Sequence, residues 1–145
     1  MKVVVQRVER ASVRVGEQPL GEIEGGLLVL AGFSSTDTEE TLRWMADKIV
    51  GLRVFADSDG RMNLDLAAAG GSLLIVSQFT LYGDVSRGRR PSFVDAAPPE
   101  QARALYDQFL AICAEGDSPV EAGEFGGRMD VELINSGPVT LVIER

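Results

Sequence analysis

"KVVVQRVERASVRV", Lys2 to Val15, is rich in valine and partly alternates apolar with polar residues. β-branched residues near a two-residue period predict extended chain, as one long strand or as two short ones broken near Ala11-Ser12. Working outward from this opening, "GEQPLG" (Gly16–Gly21) reads as a turn. "GLLVLAGF" (Gly26–Phe33) is a short continuous apolar run, the pattern of a strand covered on both faces.

The first helix is predicted in "SSTDTEETLRWMADKIVGL". Thr36 and Glu39 have capping-box spacing, and Asp37, Glu39 and Glu40 suit the positive helix start. Leu42, Met45, Ala46 and Ile49 give an inward stripe, and Gly51 a stop. "LRVFAD" and "LLIVSQFTLY" read as strands. Between them, Asp57, Asp59 and Asp65 invite a metal reading, but a turn around Asp59-Gly60 is favoured, because the twelfth-position glutamate of an EF-hand loop is missing. "YGDVSRGRRPSFVDAA" reads as a loop. "PPEQARALYDQFLAICAEG" is the second helix, with Pro in its first turn, a buried stripe of Ala102, Leu105, Phe109 and Ile112, and Gly116 at its end. The tail gives two or three strands. Two helices and seven or eight strands in this order do not alternate as βαβ units, so the expected class is α+β, with a largely antiparallel or mixed sheet packed by helices.

The chain has 145 residues, which predicts one domain over 1–145. No stretch approaches the roughly 20 apolar residues that span a bilayer. Lys2, Arg7, Glu9 and Arg10 interrupt the opening segment, so a secretory core is lacking and a cytoplasmic protein is expected. The single cysteine, Cys113, excludes an internal disulfide and reads as packing. There is no histidine, which removes Ser-His-Asp and Cys-His chemistry and any His-ligated metal. Neither a metal nor a cofactor is expected. A net charge of −8 argues mildly against nucleic acid, yet "SRGRRPSF" places Arg87, Arg89 and Arg90 within four residues, with Phe93 close by.

Two short segments stand out chemically. "SQFT", Ser77–Thr80, follows the most apolar strand and turns abruptly polar, so the chain there either leaves the core or lines a site. By strand alternation, Ser77 and Phe79 face one way and Gln78 and Thr80 the other. With no histidine to activate it, Thr80 is a poor candidate nucleophile. "NSGPVT", Asn135–Thr140, places Gly137-Pro138 between two apolar runs. This is either a strand-entry turn or, if the peptide bond is cis, a rigid polar wall of two backbone carbonyls.

Taken together, "SQFTLYGD", "GRRPSF", "DAAPPE" and "NSGPVT", with "VVQRVERASV", "GLLVLAGF", "KIVGLRVF", "MNLDL" and "FGGRM", resemble the signature segments of the D-aminoacyl-tRNA deacylases over essentially the whole chain. The resemblance implies a barrel-like core and a homodimer whose site lies at the subunit interface. It implies hydrolysis of the ester joining a D-amino acid to the 3′-terminal adenosine of tRNA, and removal of glycine mischarged on tRNA. It carries the chiral filter to a cis Gly137-Pro138 inserted into the partner's site, and the substrate pocket to Ser77, Gln78, Phe79 and the catalytic Thr80. Arg7 corresponds to the arginine that steadies the Gly-Pro element, and Met129 to a pocket-side methionine. The partner implied is aminoacyl-tRNA, not DNA or membrane. Two departures are visible: Ser136 stands where many relatives carry aspartate, and "FGGRM" replaces the commoner "FGADM". The intact "SQFTL" resembles the D-specific enzymes, in contrast to a related group with a different segment and a trans Gly-Pro. The rival readings are another acyl-ester hydrolase, a non-catalytic nucleotide-binding dimer and a purely structural β-rich dimer on the same fold.

Overall fold

The computed structural model describes residues 1–145. β1 runs unbroken from Lys2 to Val15, without a break at Ala11-Ser12. Its register instead shifts around Gln6, Val8 and Arg10. Val3 and Val5 lie in the larger core, whereas Val8, Ala11 and Val13 lie in a smaller one. One strand thus serves two cores, and the shift lets its apolar residues change face midway.

β2 (Gln18–Ile23) pairs antiparallel with residues 11–15 of β1, so only Gly16 and Glu17 remain of the expected turn. β3 (Gly26–Gly32) pairs with residues 2–8 of β1 on the same side. α1 (Glu39–Val50) buries Leu42, Met45, Ala46 and Ile49 as expected, but its cap is Thr38, boxed with Thr41, and not Thr36. Asp37, next to Thr36, is otherwise engaged: its carboxylate accepts from the Met1 ammonium at 2.5 Å and from the Ser34 N–H at 2.8 Å.

The strands expected after α1 are shorter than the pattern implied. β4 is only Phe55–Ala56, paired with β5 (Met62–Leu64). Asp57 accepts the N–H groups of Asp59 and Arg61, and Asp65 that of Ala68, so these carboxylates close turns, with Gly60 at φ +78°. β6 (Ser72–Ser77) follows, with Leu73 to Val76 all buried. α2 (Pro99–Cys113) buries the expected stripe together with Tyr106 and Cys113. It ends at Cys113, capped by Ala114, before Gly116. β7 (Val120–Ala122) and β8 (Met129–Glu144) complete the chain.

The main sheet runs β2-β1-β3-β6-β7, with β8 antiparallel on the other side of β1. β3 pairs parallel with β6, and β6 with β7. The sheet is therefore mixed, as expected, but the expected lack of βαβ units fails in the middle of the chain. α1 lies in the β3-to-β6 connection and α2 in the β6-to-β7 connection, as parallel neighbours require a crossover. Residues on one face of β3 and β6, including Leu27, Val29, Leu73 and Ile75, share the larger core with both helices. Leu28, Leu74 and Val76 on the other face join the smaller core, against β1, β2 and the start of β8. This curl brings the edge at β7 back towards β2: a Cβ on Gly21 would lie 3.2 Å from Glu121 Cβ. The outcome is a nearly closed, barrel-like sheet with two helices on its outside. The Tyr106 hydroxyl locks α2 to it, lying 2.9 Å from the Ile75 carbonyl and 3.0 Å from that of Gly123. No helix is long and apolar enough to cross a membrane.

Candidate active site

Two loops carry the residues singled out from the sequence. The first begins at the end of β6. Gln78 donates its N–H to the Ala31 carbonyl at 2.7 Å, and the chain then winds into a 3-10 turn, Phe79–Tyr82. The expected strand therefore stops at Ser77, and the alternation of Ser77 and Phe79 against Gln78 and Thr80 does not occur. β3 ends at Gly32 and offers no further ladder beyond Ala31, so the carbonyls of Gln78 and Thr80 accept locally, from Leu81 at 3.3 Å and Gly83 at 2.9 Å.

As the opening residues of a 3-10 turn, Phe79 and Thr80 have no intrahelical acceptor for their N–H groups, and Gln78 supplies no side-chain cap. The Gln78 amide instead donates to the Thr80 hydroxyl. Thr80 is exposed and Ser77 and Gln78 are half-buried. Phe79 is 56% exposed, with its ring edge-on to Phe93 at 5.0 Å. Gly32 permits this packing: a Cβ there would meet the Gln78 carbonyl oxygen at 2.9 Å and Leu81 Cβ at 3.2 Å.

The second loop interrupts β8. Gln6 pairs with Thr140 and Val8 with Asn135, so the single residue Arg7 faces four, Ser136–Val139. The neck of this bulge is stitched by Gln6 Nε2, which donates to Asn135 Oδ1 at 3.0 Å and Thr140 Oγ1 at 3.3 Å. Val139 is buried in the larger core. Gly137 and Pro138 form the exposed tip, and the peptide bond between them is cis. Arg7 holds the tip by its backbone: Nε donates to the Ser136 carbonyl at 3.2 Å and an Nη to that of Gly137 at 2.9 Å, while the other Nη donates to Val54. Arginine suits this work because its planar fork presents several fixed donors at once. A Cβ on Gly137 would have only Asn135 Nδ2 within 4 Å, at 3.9 Å, so the chain's own packing does not demand glycine there.

The two loops are apart in one chain. From the tip to the 3-10 turn, the path through the sheet crosses from β8 over β1 and β3 to β6. That is three strand spacings, about 14 Å, and the four residues from Leu27 to Ala31 on β3 add about 13 Å. Met129 opens β8 opposite Val15 and packs on the smaller core, and its Sδ lies beside Gly123, against which Val76 also packs. It thus approaches the strand end that leads into Ser77, from inside the curled sheet.

No strong acid-base group stands at either loop. Burial, with Asp37, Glu144 and Asp95 nearby, pushes the Tyr82 phenol above its usual range, so it stays neutral. A hydrogen bond from the Ser86 backbone holds the Asp84 carboxyl below the usual carboxylate range, so it stays ionised. Cys113 is buried under α2 with its thiol pushed up to about 12, which removes it as a nucleophile. Reading residues as a strand missed the 3-10 turn and its free N–H groups. The signal available was the switch from "LLIV" to polar residues, which marks an exit from the ladder.

Residues 4–144 match the family model described as D-Tyr-tRNA(Tyr) deacylase. Curated relatives named "D-aminoacyl-tRNA deacylase" include one from Thermotoga petrophila, 51% identical over 99% of this chain and 97% of its own length. Another, from Desulfatibacillum aliphaticivorans, is 53% identical over 99% of both chains. Among solved structures, one titled "c-Myc DNA Unwinding Element Binding Protein" superposes with a TM-score of 0.94 at 42% identity, over 100% of this chain and 99% of that one. A probable eukaryotic D-amino acid tRNA deacylase shares the fold, with a TM-score of 0.84 at 21% identity over 98% and 97% of the two chains. By sequence over nearly its whole length, the chain belongs to the D-Tyr-tRNA(Tyr) deacylase family of ester hydrolases.

Proposed function

We propose that the protein hydrolyses the ester between a D-amino acid and the 3′-terminal adenosine of tRNA, releasing free D-amino acid and tRNA, and that it clears glycine mischarged on tRNA in the same way. It acts as a homodimer, in which the Gly137-Pro138 tip of one protomer closes the site built on Ser77–Thr80 of its twin. The observation that carries this reading is the separation of the two loops in one chain, joined to the open space around Gly137. A glycine that its own protomer does not require answers to something that approaches from outside.

The tip acts as a chiral filter. Arg7 holds the Ser136 and Gly137 carbonyls, so the wall cannot swing aside for the wrong enantiomer. An L side chain collides with main chain, whereas a D side chain points to open space, and its identity matters little. Opposite the filter, the free N–H groups of Phe79 and Thr80 polarise the ester or hold the attacking water. Donors aimed at a developing oxyanion are worth about 3–4 kcal/mol each. The 2′-hydroxyl of the adenosine assists, and Thr80, tethered by Gln78, orients adenosine or water and is not acylated. Met129 lines the inner side of the pocket.

The test is deacylation of D-Tyr-tRNA and L-Tyr-tRNA in parallel. Release from the D form alone is expected, with similar rates for D-Phe- and D-Asp-tRNA. Release from both at comparable rates removes the filter, and a spread of several decades among the D substrates removes the open side-chain path. In single-turnover reactions of Thr80→Ala, slowed release is expected. A mass spectrum of the wild-type reaction showing acyl-Thr80 overturns the non-covalent route.

A further inference from the structure

We propose that the loop from Asp84 to Ser92 is a docking surface for the phosphodiester backbone of the substrate's acceptor end. This rests on the reading of the substrate as aminoacyl-tRNA. The chain is acidic, with 14 Lys and Arg against 22 Asp and Glu. Most of its cations are engaged internally. Lys2, Arg10, Arg14, Arg43 and Arg145 pair with carboxylates. Arg7, Arg53 and Arg103 donate to backbone carbonyls, and Lys48 sits over the Trp44 ring. Five remain without an ion pair, a side-chain hydrogen bond or an aromatic ring beneath them: Arg61, Arg87, Arg89, Arg90 and Arg128. Three of these five share one loop tip, and all three are exposed.

The tip is anchored beside the candidate site. Asp84 and Ser92 exchange backbone hydrogen bonds at 2.8 and 2.9 Å, which closes the loop at its neck. Phe93, the next residue, packs on Phe79 and against Gly83, at the two ends of the 3-10 turn that carries Thr80. The acids nearest in sequence form no ion pair with the arginines: Asp84 accepts the N–H of Ser86, and Asp95 is not paired with them. A polyanion whose end reaches Thr80 therefore passes the one concentration of uncommitted positive charge on an otherwise acidic surface.

The experiment follows kcat and KM for D-Tyr-tRNA between 50 and 200 mM KCl, for the wild type, the triple variant Arg87→Ala/Arg89→Ala/Arg90→Ala and the corresponding triple Lys variant. Hydrolysis of 3′-O-(D-tyrosyl)adenosine, which has no phosphate, is measured alongside. The triple Ala variant is expected to raise KM for the tRNA about a hundredfold at low salt, with kcat within twofold, and to flatten the plot of log(kcat/KM) against log[salt] by about 1 per arginine, so that most of the difference is gone at 200 mM. The Lys variant restores the slope, because phosphate reads a point charge as well as a fork. On the adenosine ester the three proteins are equal. An unchanged KM and slope for the Ala variant overturns the proposal, as does an equal loss on both substrates or dissociation of a wild-type dimer in the variant. Equally tight binding of duplex DNA of the same phosphate count, lost in the same variant, also overturns it, since the loop is then a general polyanion site. A wild type that hydrolyses neither substrate refutes the deacylase reading instead.

Discussion

The tip at Gly137-Pro138 and the turn at Phe79–Tyr82 are held in opposite ways. The tip leaves the ladder of β8 entirely and is fixed from outside, by a side chain on β1 that binds two successive carbonyls. The turn is fixed from within, by its own backbone hydrogen bonds and by the close approach that Gly32 permits. Above its neck, which Gln6 and the buried Val139 anchor, the tip is therefore held by one arginine, whereas rigidity at the turn is spread over local contacts. Removing single groups separates the two cases.

Arg7→Ala is the harshest test. It strips the donors from the Ser136, Gly137 and Val54 carbonyls, and a displacement of the order of 1 Å at a reacting site costs about 100-fold in rate. A fall of that size in D-Tyr-tRNA deacylation is expected, with a drop in thermal midpoint. Arg7→Lys recovers little, since an ammonium cannot span three carbonyls. Retention of activity within threefold in Arg7→Ala means that the clamp is idle.

Gly137→Ala sharpens the contrast, because it adds bulk where the protomer itself has room. Urea unfolding of the isolated chain is expected to change by less than about 0.5 kcal/mol. In the proposed dimer the added methyl is expected to overpack the partner's site by about 2 kcal/mol, roughly 30-fold in kcat/KM. Equal losses of stability and activity show that the glycine is demanded locally.

Gly32→Ala addresses the turn. A Cβ 2.9 Å from the Gln78 carbonyl oxygen pushes the turn off β3 and costs about 1 kcal/mol, roughly fivefold in kcat, and unlike Gly137→Ala it lowers stability in step. The mildest change is Tyr106→Phe. The Ile75 carbonyl keeps its bond from the Gly123 N–H, so about 1 kcal/mol of stability is lost with activity unchanged. A fall in activity here means that α2 positions the site as well as covering the core.

The helices were legible from their apolar stripes, because Leu42 to Ile49 and Ala102 to Ile112 recur at helical spacing and are buried accordingly. The β3 run was legible as a strand covered on both faces, and the β6 run as a strand, though one that stops at Ser77. Their parallel pairing was not, since an apolar run carries no direction. Thr38 rather than Thr36 caps α1: Ser34–Asp37 closes a turn of its own, with the Asp37 N–H on the Ser34 carbonyl, and Thr38 is boxed with Thr41. The residues of both loops were picked out from short segments, but their distance from one another was hidden. That distance depends on strand order, and Arg7's opposition to four residues appears only once β1 and β8 are paired.

The clamp on the tip has one more consequence. Arg7 grips carbonyl groups, and every codon encodes the same carbonyl. Substitution along Ser136–Pro138 can shift such a wall or crowd it, but it cannot change the wall's chemistry, so mutational drift has few routes by which to retune this part of the molecule to a different ligand.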